Sequence, residues 1–505
     1  MSFSKRLLAF VLAAAGATAM ACGALESTAE PPPGGDGGAD GDTDGGSDAG
    51  ADTSFGPLDP GFMGTPPGVW QTSGGATLET WVPPGIDPGV ARFDPTKSSA
   101  VAFAFVTQYF ETPAYSLTQQ YALETYGIGD GVHARIDNMT IGNVMLGSAL
   151  SKSRICLGER AFGHVIGLAF GAGSHGTNID LDHVSMPSAP ECPSAGALLN
   201  GDFESSEGWT AKARSEIVPT GGPSTGHAGH LTVISGSEAI LDHAAVSFPW
   251  KTMARPAMRI VAKGSGPPFE LRAPYVFGRV QAPAAPATTL VCLPEWAKGL
   301  VLPFSVAFRK DTISPAVEYF VDDLAFVSEP SCPESSFLLG GDFEGPTAAT
   351  YWATKAGPIN PALPPPLSPP TAGIVTTGDA HGGASHVLFS LPESCEYAYA
   401  TQTITVPPPQ PGRGPAVKLW YKTSGSGQAT MTISVNDTLQ SASLSAAPAW
   451  TQRTLCLDPY GANRPTDLFI HAQVPYPSGA CGAIPLETLA IDDVEVTTDP
   501  SCPSQ

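Results

Sequence analysis

The chain has 505 residues, of which only 14% are charged, with 56 Gly, 51 Pro and a net charge of −22. Soluble proteins carry roughly 25% charged residues, and Gly and Pro interrupt helices and punctuate strands, so the balance favours turn-rich β structure. No basic cluster follows the N-terminus, which argues against a nucleic-acid partner, because phosphate binding needs concentrated Lys and Arg.

The chain starts with Lys5 and Arg6 ahead of LLAFVLAAAGATAMA, a run too short and too rich in small residues for a good membrane span. Residues 1–21 therefore read as a lipoprotein signal peptide. Ala19-Met20-Ala21-Cys22 resembles the bacterial lipobox, with Ala19 where Leu is more usual. The resemblance implies cleavage before Cys22, lipidation of that residue, and membrane attachment through the lipid anchor only. The other reading is an ordinary signal peptide with a chance Cys. Gly23 differs from the Asp-type retention signal of some inner-membrane lipoproteins, which points to the outer membrane or cell surface. Residues 22–54, mostly EPPPGGDGGADGDTDGGSDAGADTS, hold acids but no aromatic residue, Lys or Arg. Such a segment buries too little apolar surface to offset chain ordering, and is expected to be a disordered tether.

The rest of the chain repeats. LLNGDFESSEGW, from Leu198 to Trp209, returns as LLGGDFEGPTAATYW, from Leu338 to Trp352. Closing segments LDHVSMPSAPECP, VDDLAFVSEPSCP and IDDVEVTTDPSCP end at Pro193, Pro333 and Pro503. These divide the chain into modules at 55–193, 194–333 and 334–505, too long for solenoid repeats. Within them, short alternating runs such as TQTITV, AVKLWYK and ATMTISV lie between turn residues, and MRIVAKGSG of module two lines up with VKLWYKTSG of module three. Period-two alternation without helical spacing predicts antiparallel β-sandwiches.

Together LL-NGDFE…W, W-T-Q-R-T-L and I-D-D-V resemble the carbohydrate-binding modules of the galactose-binding-like jelly-roll class. The expected fold is all-β, with three tandem jelly-roll sandwiches. The resemblance spans most of modules two and three. Module one departs from it, with Met63 where Glu204 and Glu344 stand. One sandwich hosts many functions, so the likeness speaks to fold before ligand.

Cysteines beyond Cys22 number two, two and four in the three modules. RICL, LVCL and TLCL recur at one cysteine and Cys-Pro follows the last strand, which predicts Cys156–Cys192, Cys292–Cys332 and Cys456–Cys502, with Cys395–Cys481 as an extra staple. An exported chain suits such bridges, each contributing roughly 2–4 kcal/mol. No CxxC pair suggests a metal.

In the closing strand, period two puts Asp492 with Val494 and Val496, Asp322 with Leu324 and Phe326, and Asp182 with Val184 and Met186, facing the core. One reading, which the family resemblance also implies, is a structural Ca²⁺ held by Glu204 with Asp322 and by Glu344 with Asp492, completed by backbone carbonyls. The other is that these acids accept hydrogen bonds from turn amides. Asp182 has no such partner across from Met63.

For a ligand, Trp420 between Lys418 and Lys422 suggests a solvent-facing stack for a sugar ring, with Tyr397 and Tyr399 adding to the platform. Cover by a loop or a neighbouring module is the alternative for Trp420. Val261 replaces it in module two. Trp209, Trp352 and Trp450 are assigned to packing, and His230 of the His227/His230 pair to structure. His175, in GSHG, has no evident partner. With no G-x-S-x-G, H-E-x-x-H, P-loop or Rossmann fingerprint, an enzyme is not expected. The sequence thus points to a non-catalytic exported lipoprotein with a polysaccharide or glycan partner. The competing reading is a structural or adhesive surface protein whose modules bind protein partners or one another.

Overall fold

The computed structural model describes residues 57–504 except 58–60, 63–68, 74–75, 81–88, 94–103, 130, 173–178, 206, 225, 235–236, 310–315, 346, 360–367, 436–439 and 475–480. The expected signal peptide and tether, with Cys22, Met63 and His175, lie outside the described residues.

Three jelly-roll sandwiches follow one another, their strands spanning 71–185, 209–328 and 353–499. Each has ten strands in two five-stranded sheets with the same order. The first, fourth, ninth, sixth and seventh strands make the first sheet, and the second, third, tenth, fifth and eighth make the second. Alternation does the sorting. In the fifth strand of module three, Gly414–Ser424, Val417, Leu419 and Tyr421 are buried in the core while Lys418, Trp420 and Lys422 face outward.

The repeated opening motif has a structural cause. Phe62, Phe203 and Phe343 are fully buried with φ of 54°, 56° and 55°. That left-handed backbone is rare for a bulky residue and marks a tight turn. Each ring packs on the Trp that follows, with centroids 4.6, 4.7 and 5.1 Å apart for Trp70, Trp209 and Trp352. The Trp209 and Trp352 indoles donate to Asn200 O and Gly340 O at 2.8 and 2.9 Å. The same turn clips onto the last strand, where Leu324 N donates to Gly201 O and Val494 N to Gly341 O, both at 2.8 Å. In modules two and three the two ends therefore meet. Burying each such ring contributes about 2–3 kcal/mol.

All four expected disulfides are present, with Cα–Cα distances of 5.5 Å for Cys156–Cys192 and Cys292–Cys332, 5.7 Å for Cys395–Cys481 and 5.3 Å for Cys456–Cys502. Beside the Cys395 staple, Glu396 is 1% exposed. Its Oε2 accepts Glu393 N at 3.0 Å, and its Oε1 has no hydrogen-bond partner. Burial pushes its carboxyl up to about 7, with the Glu393 charge adding to the rise and the Glu393 amide opposing it. The folded state therefore holds a proton that the unfolded chain releases near pH 4.5. The stabilisation is complete below that pH and is lost as pH rises to about 7, an effect of about 3 kcal/mol. In urea melts between pH 4 and 8, Glu396→Gln is expected to remove this dependence.

The modules are joined by polar contacts as well as by packing. Glu159, 4% exposed in module one, accepts Trp250 N, Thr252 N and Thr252 Oγ1 of module two at 2.9, 2.8 and 3.0 Å. Between modules two and three, Trp296 N donates to Thr405 Oγ1 and Cys292 N to the Tyr351 hydroxyl, both at 2.9 Å.

Candidate functional site

The closing strand does not keep period two. In module three its register against the fifth strand shifts, Lys418 pairing with Glu495 but Trp420 with Asp492, and Asp493 takes a φ of 45°. This β-bulge absorbs one residue, for which Asp is suited by its tolerance of left-handed backbone. Asp492 therefore sits on Trp420's side of the sheet and not, as alternation predicts, with Val494 and Val496. Module two repeats the device, with Val261 opposite Asp322 and a φ of 50° at Asp323.

Asp492 is fully buried there because the turn between the second and third strands folds over it. His381 N and Gly382 N donate to its Oδ2 at 2.8 and 3.1 Å, and Asp493 N to its Oδ1 at 2.8 Å. Burial raises its carboxyl above the ordinary range, and those amides only partly offset the rise. Ala384 N and Ser385 N donate to Glu344 Oε1, both at 2.7 Å. In module two, Glu204 accepts His227 N at 3.0 Å and faces His227 Nδ1 at 3.2 Å. Asp322 accepts Asp323 N at 2.8 Å, and its carboxyl too is raised by burial.

These acids make the contacts of the other reading, accepting hydrogen bonds from turn amides. Ca²⁺ takes six to eight oxygens, whereas here N–H groups point their positive ends at the carboxylates. Among the described residues no group of three His, Cys, Asp or Glu stands close enough to hold a metal. Adding millimolar calcium, or removing it with EDTA, is expected to leave the melting temperature within about 1 °C; a larger rise with calcium would restore the ion.

The same turn covers Trp420. The His381 ring stacks on the indole with centroids 3.9 Å apart at 14°, and His381 Nδ1 lies 2.6 Å from Asp493 Oδ2. Trp450 donates to Asp379 O at 3.2 Å, and its ring stands edge-on to His381. Both lysines are engaged. Lys422 pairs with Asp379 at 2.8 Å and Lys418 with Asp499 at 2.6 Å, which holds both carboxyls below the usual range. Trp420 is thus half-buried as a mount for a loop.

Tyr397 and Tyr399 do not join it. They lie on the fourth strand, in the other sheet, and so on the opposite face of the sandwich. Their rings are parallel, 6.0 Å apart at 9°, and half-buried above the core residues Ala398 and Ala400. Lys355 and His471 pair with Tyr399 from the flanking strands. Thr432 hydrogen-bonds the His471 ring at 2.7 Å, and Gln473 pairs with Tyr397. Burial lowers the His471 pKa, leaving the imidazole neutral at pH 7 as both donor and acceptor. Arg279 of module two reaches this edge. Burial lowers its pKa, and the charges of Glu270 and then Tyr399 oppose that.

The sequence carried a signal for this row. YAYATQ at 397–402 repeats FAFVTQ at 103–108, while module two has EAILDH. Phe103 lies outside the described residues. Phe105 faces outward, with the Arg135 guanidinium 4.9 Å over its ring. In module two the matching face holds an ion-pair network instead, Arg272 bonding Glu238 and Glu270 at 3.0 and 2.8 Å.

The sequence matches no protein-family description and no curated protein. Among solved structures, the chain is similar to a family 61 carbohydrate-binding module in complex with β-1,4-galactotriose, with 14% identity over 32% of this chain and 98% of that one and a TM-score of 0.23. It is similar to the tandem family 22 modules of Paenibacillus barcinonensis Xyn10C, with 14% identity over 60% and 98% and a TM-score of 0.19. It is also similar to the triple jelly roll of an archaeal virus turret, with 10% identity over 85% and 91% and a TM-score of 0.19.

Proposed function

We propose that the protein is a non-catalytic, exported lipoprotein that binds glycans on the outer face of module three's first sheet. The observation that carries this reading is the pair of parallel tyrosine rings, 6.0 Å apart. Two flat apolar surfaces in line suit successive rings of a sugar chain, while His471, Gln473 and Lys355 offer hydrogen bonds to its hydroxyls. The row is preferred over Trp420, one face of whose indole is taken by His381. A glycan array probed with the full chain and with the Tyr397→Ala/Tyr399→Ala variant tests the site. Signal confined to the unaltered chain supports it, and signal that survives the double variant removes it. A fatty-acyl adduct at Cys22, read by mass spectrometry, tests the anchor.

The structural or adhesive reading has its own support. The buried Glu159 and Trp296 contacts bind module to module, so the body is built as one piece and not as independent binding beads.

A further inference from the structure

At both junctions the turn after a disulfide cysteine meets the next module, and residues matching the two halves of that contact are exposed in modules three and one. The donor half is the short turn after the disulfide cysteine: CLGER, CLPEW and CLDPY, aligned at Cys156, Cys292 and Cys456. In module one the turn ends in Arg160, 7% exposed. Arg160 donates its backbone N to Gly299 O of module two at 2.8 Å, bonds Glu295 at 2.9 Å, and lies 4.7 Å over the Trp250 ring. In module two the matching residue is Trp296, 2% exposed and seated against Thr405 of module three. In module three it is Tyr460, 78% exposed. There the Asp458 carboxylate accepts Tyr460 N at 3.0 Å, so the side chain and not the backbone amide is left to make a contact.

The receiving half is the end of the fourth and ninth strands of the next module. There Ser247 pairs with Val301 in module two and Thr405 with Pro465 in module three. Trp296 of the preceding module meets Thr405; Ser247 and Thr405 are 0% and Val301 8% exposed, and Pro465 is half-buried. The same register in module one pairs Glu111 with Val165 and Tyr109 with Gly167. In module one Val165 and Tyr109 are each 60% exposed. They are diagonal neighbours on one sheet face. The Tyr109 ring lies so close over Gly167 that a β-carbon there would come within 2.8 Å of it. The patch sets these two apolar side chains beside the exposed Glu111, which pairs with Val165.

We propose that the Tyr460 turn of one copy docks on the Tyr109–Val165 patch of a second copy, continuing from chain to chain the order that joins modules within it. The contact uses different surfaces on its two sides, so it does not close on itself and extends into a row. It stands independently of glycan binding, which is placed on Tyr397 and Tyr399 of module three.

The test is sedimentation velocity on the oxidised full chain carrying Cys22→Ser, with and without Tyr460→Asp and Val165→Asp. Both positions face water, so the variants are expected to fold, and matching circular dichroism and melting curves check this. The parent should form a growing series of species with concentration, and each variant alone should stay monomeric. Mixed together, the two variants retain one intact end each and should give a 1:1 dimer and nothing larger. A parent that stays monomeric up to about 0.5 mM overturns the proposal. So do association unchanged in both variants, a mixture without dimer, or footprinting that finds Tyr109 shielded in the monomer by the chain's own N-terminal residues.

Discussion

Alanine at both Tyr397 and Tyr399 is expected to reduce glycan affinity to background, with each single change weakening it about 10- to 30-fold. The rings supply a face that sugar C–H groups cover when bound. Truncating a buried aromatic anchor typically costs about 2 kcal/mol, and each 1.4 kcal/mol is a factor of ten. Because Ala398 and Ala400 carry the packing beneath them, both variants should melt close to the parent. Tyr→Phe at either site keeps the face and should lose only a few-fold, which separates stacking from hydroxyl contacts. Isothermal calorimetry with the best glycan from the array measures all of this. Trp420→Ala is the control, with lower stability from the lost His381 stack but unchanged affinity. Equal binding by the double variant and the parent would end the assignment.

The second large effect is on stability. Asp492→Ala strands the amides of His381, Gly382 and Asp493 in a buried place. Unmet buried donors cost about 1–3 kcal/mol each, so a loss of about 3–5 kcal/mol is expected, or roughly 10 °C in the melting temperature. Asp492→Asn keeps one acceptor and a neutral group where burial already disfavours charge, so it should lose clearly less. With the turn released, His381 lifts from Trp420 and the indole emission changes. An Ala variant that melts like the parent would mean these amides find water or other partners.

Much of the fold was legible in the sequence, for physical reasons. The Phe–Trp pair that opens each module is a tight turn plugged by an aromatic, and that geometry demands the same letters each time. The cysteine contexts recur because each bridge ties the same two strand ends. The site was harder to read. Period two placed Asp492 in the core, but a bulge at Asp493 shifts the phase, and nothing local announces a bulge. For Trp420 the sequence leaves an open stack and cover by a loop side by side, because strand alternation does not reveal the His381 turn that crosses it. Tyr397 and Tyr399 were picked out as aromatic but set on the wrong face, since adjacency in sequence does not say which sheet a strand joins. The repeat of FAFVTQ in YAYATQ held the better clue.

The connectivity of the cysteines sets different demands on the three modules as they oxidise. In the first two, each cysteine bonds the next along the chain, 36 and 40 residues on, so an oxidant acting in order of emergence joins the right partners. In the third, Cys395–Cys481 and Cys456–Cys502 interleave. Oxidation in order would couple 395 to 456 and 481 to 502, and the native arrangement is reached only by thiolate exchange. Maturation of the whole molecule then waits on its last module, and a cell without a disulfide isomerase would accumulate chains sound in two modules and scrambled in the third.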